Sequence, residues 1–436
     1  MLENYCIEGG VPLRGEYRVR GAKNSALPVL AATVCRGGVY EIYDCPRIGD
    51  VFSMEEILIS LGAKTRWEED CIIVDSRGVS KSQVPESLMS EMRSSVFLMG
   101  SLLARCGEAS IYRPGGCNIG KRPIDIHIDG LTQLGFEIER EEEKIWCKGL
   151  CRGGKITLAY PSVGATENMM MAALAGDGDT IIENCATEPE ICDLQGFLRS
   201  AGFQVFGAGS DTVFIKGAGK KRDRNSIESM YFLLEDRIEA ATYMMAVLAT
   251  GGRAVFRNIR PEIMKEVLRC FERMGATIRN FENTIEIYTA AGLKSPGIIV
   301  TQPYPGFPTD CQPQMMSLCC FAKGLTTIRE EIFESRFSHK NHLIKMGADI
   351  ESCGKNAIIK GVKSLKGCRT QAQDLRGGAA LVIAGLAAEG QTTVENIYHI
   401  QRGYEDLEKG LRSLGGFIET TEEERKEEKV QGQSAD

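Results

Sequence analysis

The chain has 436 residues, of which 43% are hydrophobic and 25% charged, as is usual for a folded globular protein. This length exceeds what one hydrophobic core usually supports, and it predicts two domains. The chain carries 52 Lys and Arg against 59 Asp and Glu, a formal net charge of −7 at pH 7. It therefore lacks the positive field that attracts nucleic acid, and we expect no nucleic-acid partner.

The N-terminus and the cysteines both predict a cytoplasmic protein. Residues 1–10 (MLENYCIEGG) have no basic stretch followed by an apolar one, and no segment approaches the roughly 20 apolar residues of a membrane span. The 16 cysteines are scattered through apolar runs such as LCCF at 318–321, which favours reduced core thiols over disulfides. The four histidines show no zinc-binding spacing with a cysteine pair, so we expect no metal centre.

A sixfold pattern runs along the chain, in which a helical stretch meets glycine and then a β-prone run. The segments are ISLGAKT, TQLGFEI, RSAGFQV, ERMGATI, IKMGADI and RSLGGFI, with glycines at 62, 135, 202, 275, 347 and 415. Successive glycines are 73, 67, 73, 72 and 68 residues apart. Glycine tolerates the left-handed backbone that ends a helix and turns the chain into a strand. A second series of Ala-, Leu- and Met-rich helices interleaves with the first, so each unit of about 70 residues holds two helices and several strands.

Six such units match the two domains expected from length, with three units in each. A cleft between the domains is the natural ligand site. The acidic segment 421–436 lacks apolar periodicity, which predicts a disordered tail.

The loop at 113–123 (RPGGCNIGKRP) surrounds Cys117 with glycines, prolines and cations. Nearby cations lower the pKa of a thiol and enrich the nucleophilic thiolate, which favours a chemical role over a packing one. The run from Gly115 to Lys121 fits the first part of a nucleotide-binding P-loop, but Arg122 stands where that motif needs Ser or Thr. A nucleotide hydrolase is therefore disfavoured, whereas phosphate recognition by arginine remains reasonable.

Two further clusters carry polar groups at helix starts. Lys23 and Asn24 precede the helical run ALPVLAATV, where an anion would bind well, although a solvated helix cap explains them equally well. Asp310 follows Pro308 in a loop that opens the next helix, and its residue type alone favours an N-terminal cap over a catalytic base.

Several segments together are similar to the UDP-N-acetylglucosamine 1-carboxyvinyltransferases of the enolpyruvyl transferase family. They are GAKNSALP at 21–28, RPGGCNIGKRPIDIHIDGL at 113–131, PSVGATEN at 161–168, DRIEA at 236–240, PGFPTD at 305–310, DLRGGAA at 374–380 and YHIQRGYE at 398–405. The similarity extends from about residue 5 to 418, and the Cys117 loop is its most specific part.

The resemblance implies an α/β fold of two domains, each an inside-out α/β barrel made of three repeats. Residues 1–22 and 236–420 would form one domain, and residues 23–235 an inserted domain that carries the Cys117 loop. Substrate would draw the domains together, which positions reactants and excludes water.

The resemblance also implies the reaction. The 3-hydroxyl of UDP-N-acetylglucosamine adds to the double bond of phosphoenolpyruvate, and the tetrahedral intermediate then expels phosphate, in the first committed step of peptidoglycan precursor synthesis. It implies no metal or organic cofactor. The partners are these two small molecules, with no membrane span.

By resemblance, the catalytic residues are Lys23, Cys117, Asp310 and Arg402. Cys117 resembles the proton donor that fosfomycin alkylates, and Asp310 the residue that contacts the attacking hydroxyl. Cations match the phosphate site (Lys23, Arg122, Arg402) and the carboxylate site (Arg336, Arg376). The positions that match nucleotide-sugar contacts are Asn24, Arg93, Arg122, Pro123, Ile124, Asp125, Ile126, Tyr160, Pro161, Ser162, Val163 and Ile332.

Three positions depart from the commonest pattern of the family: Tyr160, Ser335 and Glu235. None removes a charge assigned to the chemistry, but they leave open how tightly the uridine is held. Two alternatives stay open from sequence: an enolpyruvyl transferase with another acceptor, and a catalytically silent paralogue that binds a UDP-sugar and regulates a partner. The sequence gives no oligomeric state, rate or feedback ligand.

Overall fold

The structure is a computed structural model that describes residues 2–112, 124–219 and 227–423. The helices of these residues are α1 (Lys23–Ala32), α2 (Gly49–Leu61), α3 (Glu86–Glu91), α4 (Leu98–Cys106), α5 (Asp125–Gln133), α6 (Val163–Ala173), α7 (Pro189–Ser200), α8 (Arg237–Ala249), α9 (Lys265–Arg273), α10 (Gln312–Cys320), α11 (Lys340–Lys345), α12 (Leu375–Ala387), α13 (Tyr398–Gln401) and α14 (Leu407–Ser413). Short 3₁₀ helices cover Arg93–Phe97, Pro261–Met264 and Thr309–Cys311.

The strands of the same residues are β1 (Leu2–Glu8), β2 (Arg14–Arg18), β3 (Gly38–Tyr43), β4 (Lys64–Glu68), β5 (Cys71–Asp75), β6 (Glu108–Tyr112), β7 (Glu137–Glu141), β8 (Lys144–Lys148), β9 (Gly154–Thr157), β10 (Thr180–Glu183), β11 (Val205–Phe206), β12 (Thr212–Ile215), β13 (Ile227–Phe232), β14 (Arg253–Arg257), β15 (Ala276–Phe281), β16 (Thr284–Thr289), β17 (Ile298–Val300), β18 (Leu325–Arg329), β19 (Asp349–Cys353), β20 (Asn356–Lys360), β21 (Arg369–Gln371), β22 (Gln391–Glu395) and β23 (Phe417–Glu423).

Within the described ranges these strands form six separate sheets with one shared pairing pattern. In the sheet β15-β16-β14-β2, β14 runs parallel to β2 and antiparallel to β16, which pairs antiparallel with β15. The sheets β17-β18-β20-β19, β21-β22-β1-β23, β13-β3-β5-β4 and β11-β12-β10-β9 repeat it. In the three-stranded sheet β6-β8-β7, an isolated parallel bridge between Gln83 and Ser110 takes the place of the fourth strand. Six copies of one topology confirm the predicted repeats.

The glycines of the sixfold pattern adopt the backbone predicted for them. All six have positive φ, between +84° and +109°. Gly62, for example, ends α2 in the left-handed region just before β4 begins at Lys64. A side chain would be strained in this conformation, so the glycine sets where each helix ends and each strand begins.

The helices on the inside of the fold are buried on nearly all sides, and the sheets lie around them. Every residue of α10 is buried, as are twelve of the thirteen in α8 and in α12. These three helices contact one another, while α4 contacts both α1 and α6 in the other half of the fold. A helix that is buried on all its faces forms part of a core. The predicted inside-out α/β class is thus confirmed, although the sheets of the described residues do not close into a barrel.

The buried apolar residues form two clusters. One cluster is drawn from residues 5–19 and 234–418, and the other from residues 26–233. The chain passes between them twice, and the two passages lie side by side: Ala22 N donates to Leu234 O at 2.6 Å, and Asp236 N donates to Arg20 O at 2.8 Å. The domain limits given above remain a prediction, to which these clusters lend support.

The end of the chain differs in part from the predicted tail at 421–436. Strand β23 continues to Glu423 because it pairs with β1, with Thr421 opposite Asn4 and Glu423 opposite Leu2. This pairing places residues 421–423 in a sheet, so the prediction of disorder is wrong for them. The rest of that tail, 424–436, lies outside the described residues.

Candidate active site

Asp310 lies where several positively charged and polar side chains meet. Its Oδ1 accepts a hydrogen bond from Arg336 Nη2 at 2.8 Å, and its Oδ2 accepts from Asn24 Nδ2 at 3.4 Å. Arg376 Nη2 is 3.5 Å from the same Oδ2. Asp310 sits in the 3₁₀ turn before α10 but makes no side-chain cap, so the cap interpretation was wrong.

The charges around Asp310 keep its carboxyl group ionised. Partial burial raises the pKa of this carboxyl, but Arg376, Arg336 and Lys23 outweigh it and hold the pKa well below its ordinary range. The side chain is still 30% exposed. A carboxylate with so low a pKa orients a hydroxyl group well but accepts its proton poorly.

The two arginines beside Asp310 are buried cations with hydrogen-bonding capacity to spare. Each side chain is only 4% exposed. Arg336 Nε and Arg376 Nη1 are buried and have no hydrogen-bond partner among the described residues. A buried N–H group without an acceptor is unfavourable, so these atoms favour an anionic ligand.

Local structure fixes the direction of Arg376. Asp374 caps α12, and its Oδ1 accepts from the backbone N of Arg376 at 3.0 Å and of Gly377 at 2.9 Å. The Arg376 guanidinium lies over the Tyr404 ring, 5.2 Å from its centroid. A helix N-terminus itself favours anions, so the start of α12 adds to the positive potential of the site.

Lys23 and Arg402, a second pair of cations, meet at one carboxylate. Lys23 Nζ is 2.7 Å from Asp50 Oδ2, and Arg402 Nε is 2.8 Å from Asp50 Oδ1. The Asp50 side chain is 5% exposed. Burial raises the pKa of Asp50, but Lys23 and Arg402 more than offset this and lower it. Lys23 is thus an ion-paired, largely buried side chain rather than a solvated cap.

Glu330 holds the loop of Ile332 against the turn of Asp310. Glu330 Oε1 accepts from the backbone N of Ile332 at 2.9 Å, and Glu330 Oε2 accepts from Thr309 Oγ1 at 3.0 Å. Thr301 Oγ1 also donates to this carboxylate at 2.8 Å. One buried carboxylate therefore fixes two loops of the site relative to each other.

The remaining predicted residues of the inserted segment lie on three neighbouring elements. Ser162 caps α6 through a 3.4 Å hydrogen bond from Ala165 N. A Cβ built on Gly164, in the first turn of α6, would be 3.3 Å from both His127 Cε1 and Phe97 Cε1. His127 is on α5 and Phe97 is in the 3₁₀ helix that begins at Arg93. The structure thus brings together the starts of α5 and α6 and the Arg93 helix, and with them the predicted positions 124–126 and 160–163.

Individual side chains in this group differ in their surroundings. Tyr160 is 43% exposed. Asp125 makes a loose, exposed ion pair with Arg140, at 3.7 Å. Three predicted residues, Cys117, Arg122 and Pro123, lie outside the described residues.

Sequence reasoning missed Asp50, Glu330 and Tyr404. Asp50 follows Gly49 in the first turn of α2, where an acid usually only complements the helix dipole, so no local signal separates it from an ordinary residue. Glu330 and Tyr404 act through contacts made far along the chain. For the described residues, no group of three His, Cys, Asp or Glu could hold a metal ion, and no helix has the length and apolar character to cross a bilayer.

The chain is similar to known proteins over nearly its whole length. Residues 7–411 match the family described as EPSP synthase (3-phosphoshikimate 1-carboxyvinyltransferase). UDP-N-acetylglucosamine 1-carboxyvinyltransferase 2 of Caldanaerobacter subterraneus subsp. tengcongensis is 48% identical over 96% of this chain and 99% of its own. A protein of Symbiobacterium thermophilum named UDP-N-acetylglucosamine 1-carboxyvinyltransferase 1 is 45% identical over 95% of both chains.

Solved structures show the same fold at lower sequence identity. The enolpyruvyl transferase NikO from Streptomyces tendae superposes with a TM-score of 0.85 at 23% identity, covering 96% of this chain and 99% of that one. EPSP synthase from Acinetobacter baumannii gives a TM-score of 0.72 at 18% identity, covering 97% and 100%. The chain therefore belongs to the EPSP synthase family of enolpyruvyl (carboxyvinyl) transferases.

Proposed function

We propose that the protein transfers the enolpyruvyl group of phosphoenolpyruvate to the 3-hydroxyl of UDP-N-acetylglucosamine and releases phosphate. One observation carries this proposal: curated proteins with 41–48% identity over nearly the whole chain are named UDP-N-acetylglucosamine 1-carboxyvinyltransferase. The product would enter peptidoglycan precursor synthesis.

The reaction has two balanced steps. In the addition, the sugar oxygen bonds to C2 of phosphoenolpyruvate, the hydroxyl proton leaves to a base, and an acid protonates C3 to a methyl group. In the elimination, C3 loses a proton, the double bond re-forms, and the C2–O bond to phosphate breaks. Both steps need fixed positive charge around a compact polyanion, together with one acid and one base.

In this proposal the buried cations bind the two charged groups of phosphoenolpyruvate separately. Arg336 and Arg376 bind the carboxylate of phosphoenolpyruvate, because their unpartnered N–H groups are buried beside Asp310. Lys23 and Arg402 bind the phosphate, together with Arg122. Four buried or half-buried cations offset the cost of taking the anion out of water.

Asp310 then contacts the attacking hydroxyl. Burial raises the pKa of this carboxyl, but Arg376 and Arg336 hold it well below its usual range. When a substrate carboxylate neutralises these arginines, the pKa of Asp310 rises and the group becomes a better proton acceptor. Binding of one substrate thereby prepares the base for the other.

Cys117 is proposed from the sequence as the proton donor to C3. The nucleotide-sugar site would use Asn24, Arg93, Ile332 and the stretches 122–126 and 160–163. We propose the cytoplasm as the location: no disulfide joins the fifteen described cysteines, ten of which are buried, as in proteins of reducing compartments.

Phosphate release by the purified protein tests this function. The protein is given phosphoenolpyruvate with UDP-N-acetylglucosamine, and in parallel with 3-phosphoshikimate as the alternative acceptor. Phosphate release is expected with UDP-N-acetylglucosamine as the acceptor and not with 3-phosphoshikimate. Release only with the other acceptor would replace the proposed substrate, and no release, with both ligands shown to bind, would favour the silent paralogue.

A further inference from the structure

Asp50 contacts two proposed phosphate-binding cations, Lys23 and Arg402, at once. One carboxylate oxygen contacts Lys23 Nζ at 2.7 Å and the other contacts Arg402 Nε at 2.8 Å. No role follows for Asp50 from the sequence or from the function proposed above. Its geometry nevertheless fixes the separation of the two cations.

The contact joins the two halves of the molecule. Lys23 opens α1 and Asp50 lies in the first turn of α2, and both helices pack in the cluster of residues 26–233. Arg402 follows α13, between Ile400 and Tyr404 of the other cluster. Asp50 therefore ties a cation of its own half to a cation of the opposite half.

The backbones at this point are in contact as well. Asp50 N donates to Arg402 O at 3.4 Å. A Cβ built on Gly49 would lie 3.3 Å from Arg402 Cα and 3.5 Å from its Cγ, so the two backbones pack closely at this point. The approach of α2 to Arg402 is thus built into the chain and does not depend on one side-chain rotamer.

The charges also indicate that Asp50 holds Lys23 and Arg402 in place. Lys23 and Arg402 would repel each other in a half-buried site, and a single buried carboxylate cancels that repulsion. Each contact uses a different oxygen, so both cations are held at fixed positions.

We propose that Asp50 is a positioning residue, which holds Lys23 and Arg402 at the spacing needed to bind the phosphate of phosphoenolpyruvate. This inference rests on the proposed function. Asp50 acts through the two cations and does not itself touch the reacting atoms. Loss of the Asp50 carboxylate would leave the cations charged but displaced. This selectively weakens binding of the phosphate group of the substrate.

The test compares Asp50→Asn, which removes the charge at constant size, with the unaltered full-length protein. The KM for phosphoenolpyruvate is expected to rise between about tenfold and about 100-fold, since misplacement by about 1 Å can cost about 100-fold. Inhibition by inorganic phosphate should weaken in step, because phosphate has no carboxylate to bind elsewhere. The KM for UDP-N-acetylglucosamine should change little.

A matched control comes from the same helix. Glu55 of α2 accepts a hydrogen bond from Trp67 Nε1 at 3.0 Å and contacts neither cation. Glu55→Gln also removes one carboxylate from α2, and it should keep the unaltered kinetic constants. If Asp50→Asn fails to fold, Asp50→Glu keeps the charge but moves it by one methylene, and a several-fold selective rise of the same KM is expected.

The outcomes separate this inference from the proposed function. An unaltered protein that releases no phosphate would count against the function itself. An active unaltered protein whose Asp50 variants keep the KM for phosphoenolpyruvate would overturn the inference. So would variants in which both KM values rise while kcat and the melting temperature fall, because that pattern indicates a purely structural role.

Discussion

Asn24 donates a hydrogen bond to Asp310 across the boundary between the two hydrophobic clusters, with Nδ2 and Oδ2 3.4 Å apart. The two residues are 286 positions apart in the chain. One lies in the first turn of α1, and the other follows Phe307, which belongs to the cluster drawn from residues 5–19 and 234–418. The reacting groups proposed here are therefore assembled from both halves, and substrate binding depends on how those halves meet.

Asp310→Asn should reduce turnover strongly while the protein stays folded. The amide keeps the size of the side chain but cannot accept a proton, so kcat should fall by about 10²- to 10⁴-fold. Steady-state phosphate release measures the effect. Asp349→Asn, an exposed change at the start of β19, serves as the control. Turnover within a few-fold of the unaltered enzyme would remove Asp310 from the chemistry.

Cys117→Ala should abolish covalent labelling by fosfomycin and severely reduce turnover. The cations of its loop favour the thiolate that the reagent attacks. Intact-mass measurement after incubation should show one adduct on the unaltered chain and none on the variant. Cys106, Cys192 and Cys353 are exposed and are the competing thiols. An adduct that persists on any of them in the variant would contradict the assignment.

Glu239→Gln should remove part of the dependence of stability on pH. Glu239 accepts hydrogen bonds from Tyr17 Oη at 2.9 Å and from the Arg20 backbone N at 3.0 Å. Burial, with the charge of Asp236, raises the pKa of Glu239 to about 7. The folded chain thus holds this proton more tightly than the unfolded chain. The free energy of unfolding should therefore fall as pH rises from about 4.3, the ordinary value of a Glu pKa, to about 7.

The raised pKa of Glu239 also sets the size of the expected loss of stability. The loss attributable to Glu239 is about 3 kcal/mol at most over this range. Urea titrations at several pH values compare the slopes of the two proteins rather than their absolute stabilities, because the amide also alters the hydrogen bonds. Parallel slopes would show that Glu239 has an ordinary pKa.

Glu190→Ala should destabilise the fold much more than a comparable change at the surface. Glu190 forms a buried ion pair with Arg237, with Nε and Oε1 3.0 Å apart, and links the two halves of the chain. Removing one partner leaves a buried charge unpaired, which costs about 3–5 kcal/mol. Glu16→Ala removes the carboxylate of an exposed pair with Arg257 and should change the free energy of unfolding little. Equal losses in the two variants would contradict the role given to burial.

The repeats were predictable from sequence, whereas the full charge arrangement was not. Gly62 and its five equivalents carry a local signal, because only glycine adopts their backbone conformation without strain. The surroundings of Asp310 carry none: Arg336 and Arg376 are 26 and 66 residues away, and its residue type alone suggested a helix cap. The resemblance to a family supplied these residues where local physics could not. Asp50 was missed by both routes, since an acid at the start of a helix has an ordinary explanation.

In the proposed reaction, cations from both halves converge on phosphoenolpyruvate beside an acceptor hydroxyl. Mass spectrometry of the nucleotide-sugar after incubation with both substrates tests it most directly. We expect an enolpyruvyl ether of UDP-N-acetylglucosamine, formed with one phosphate released for each sugar consumed, and almost none with Asp310→Asn. An unmodified sugar, recovered from a protein shown to bind both substrates, would contradict it.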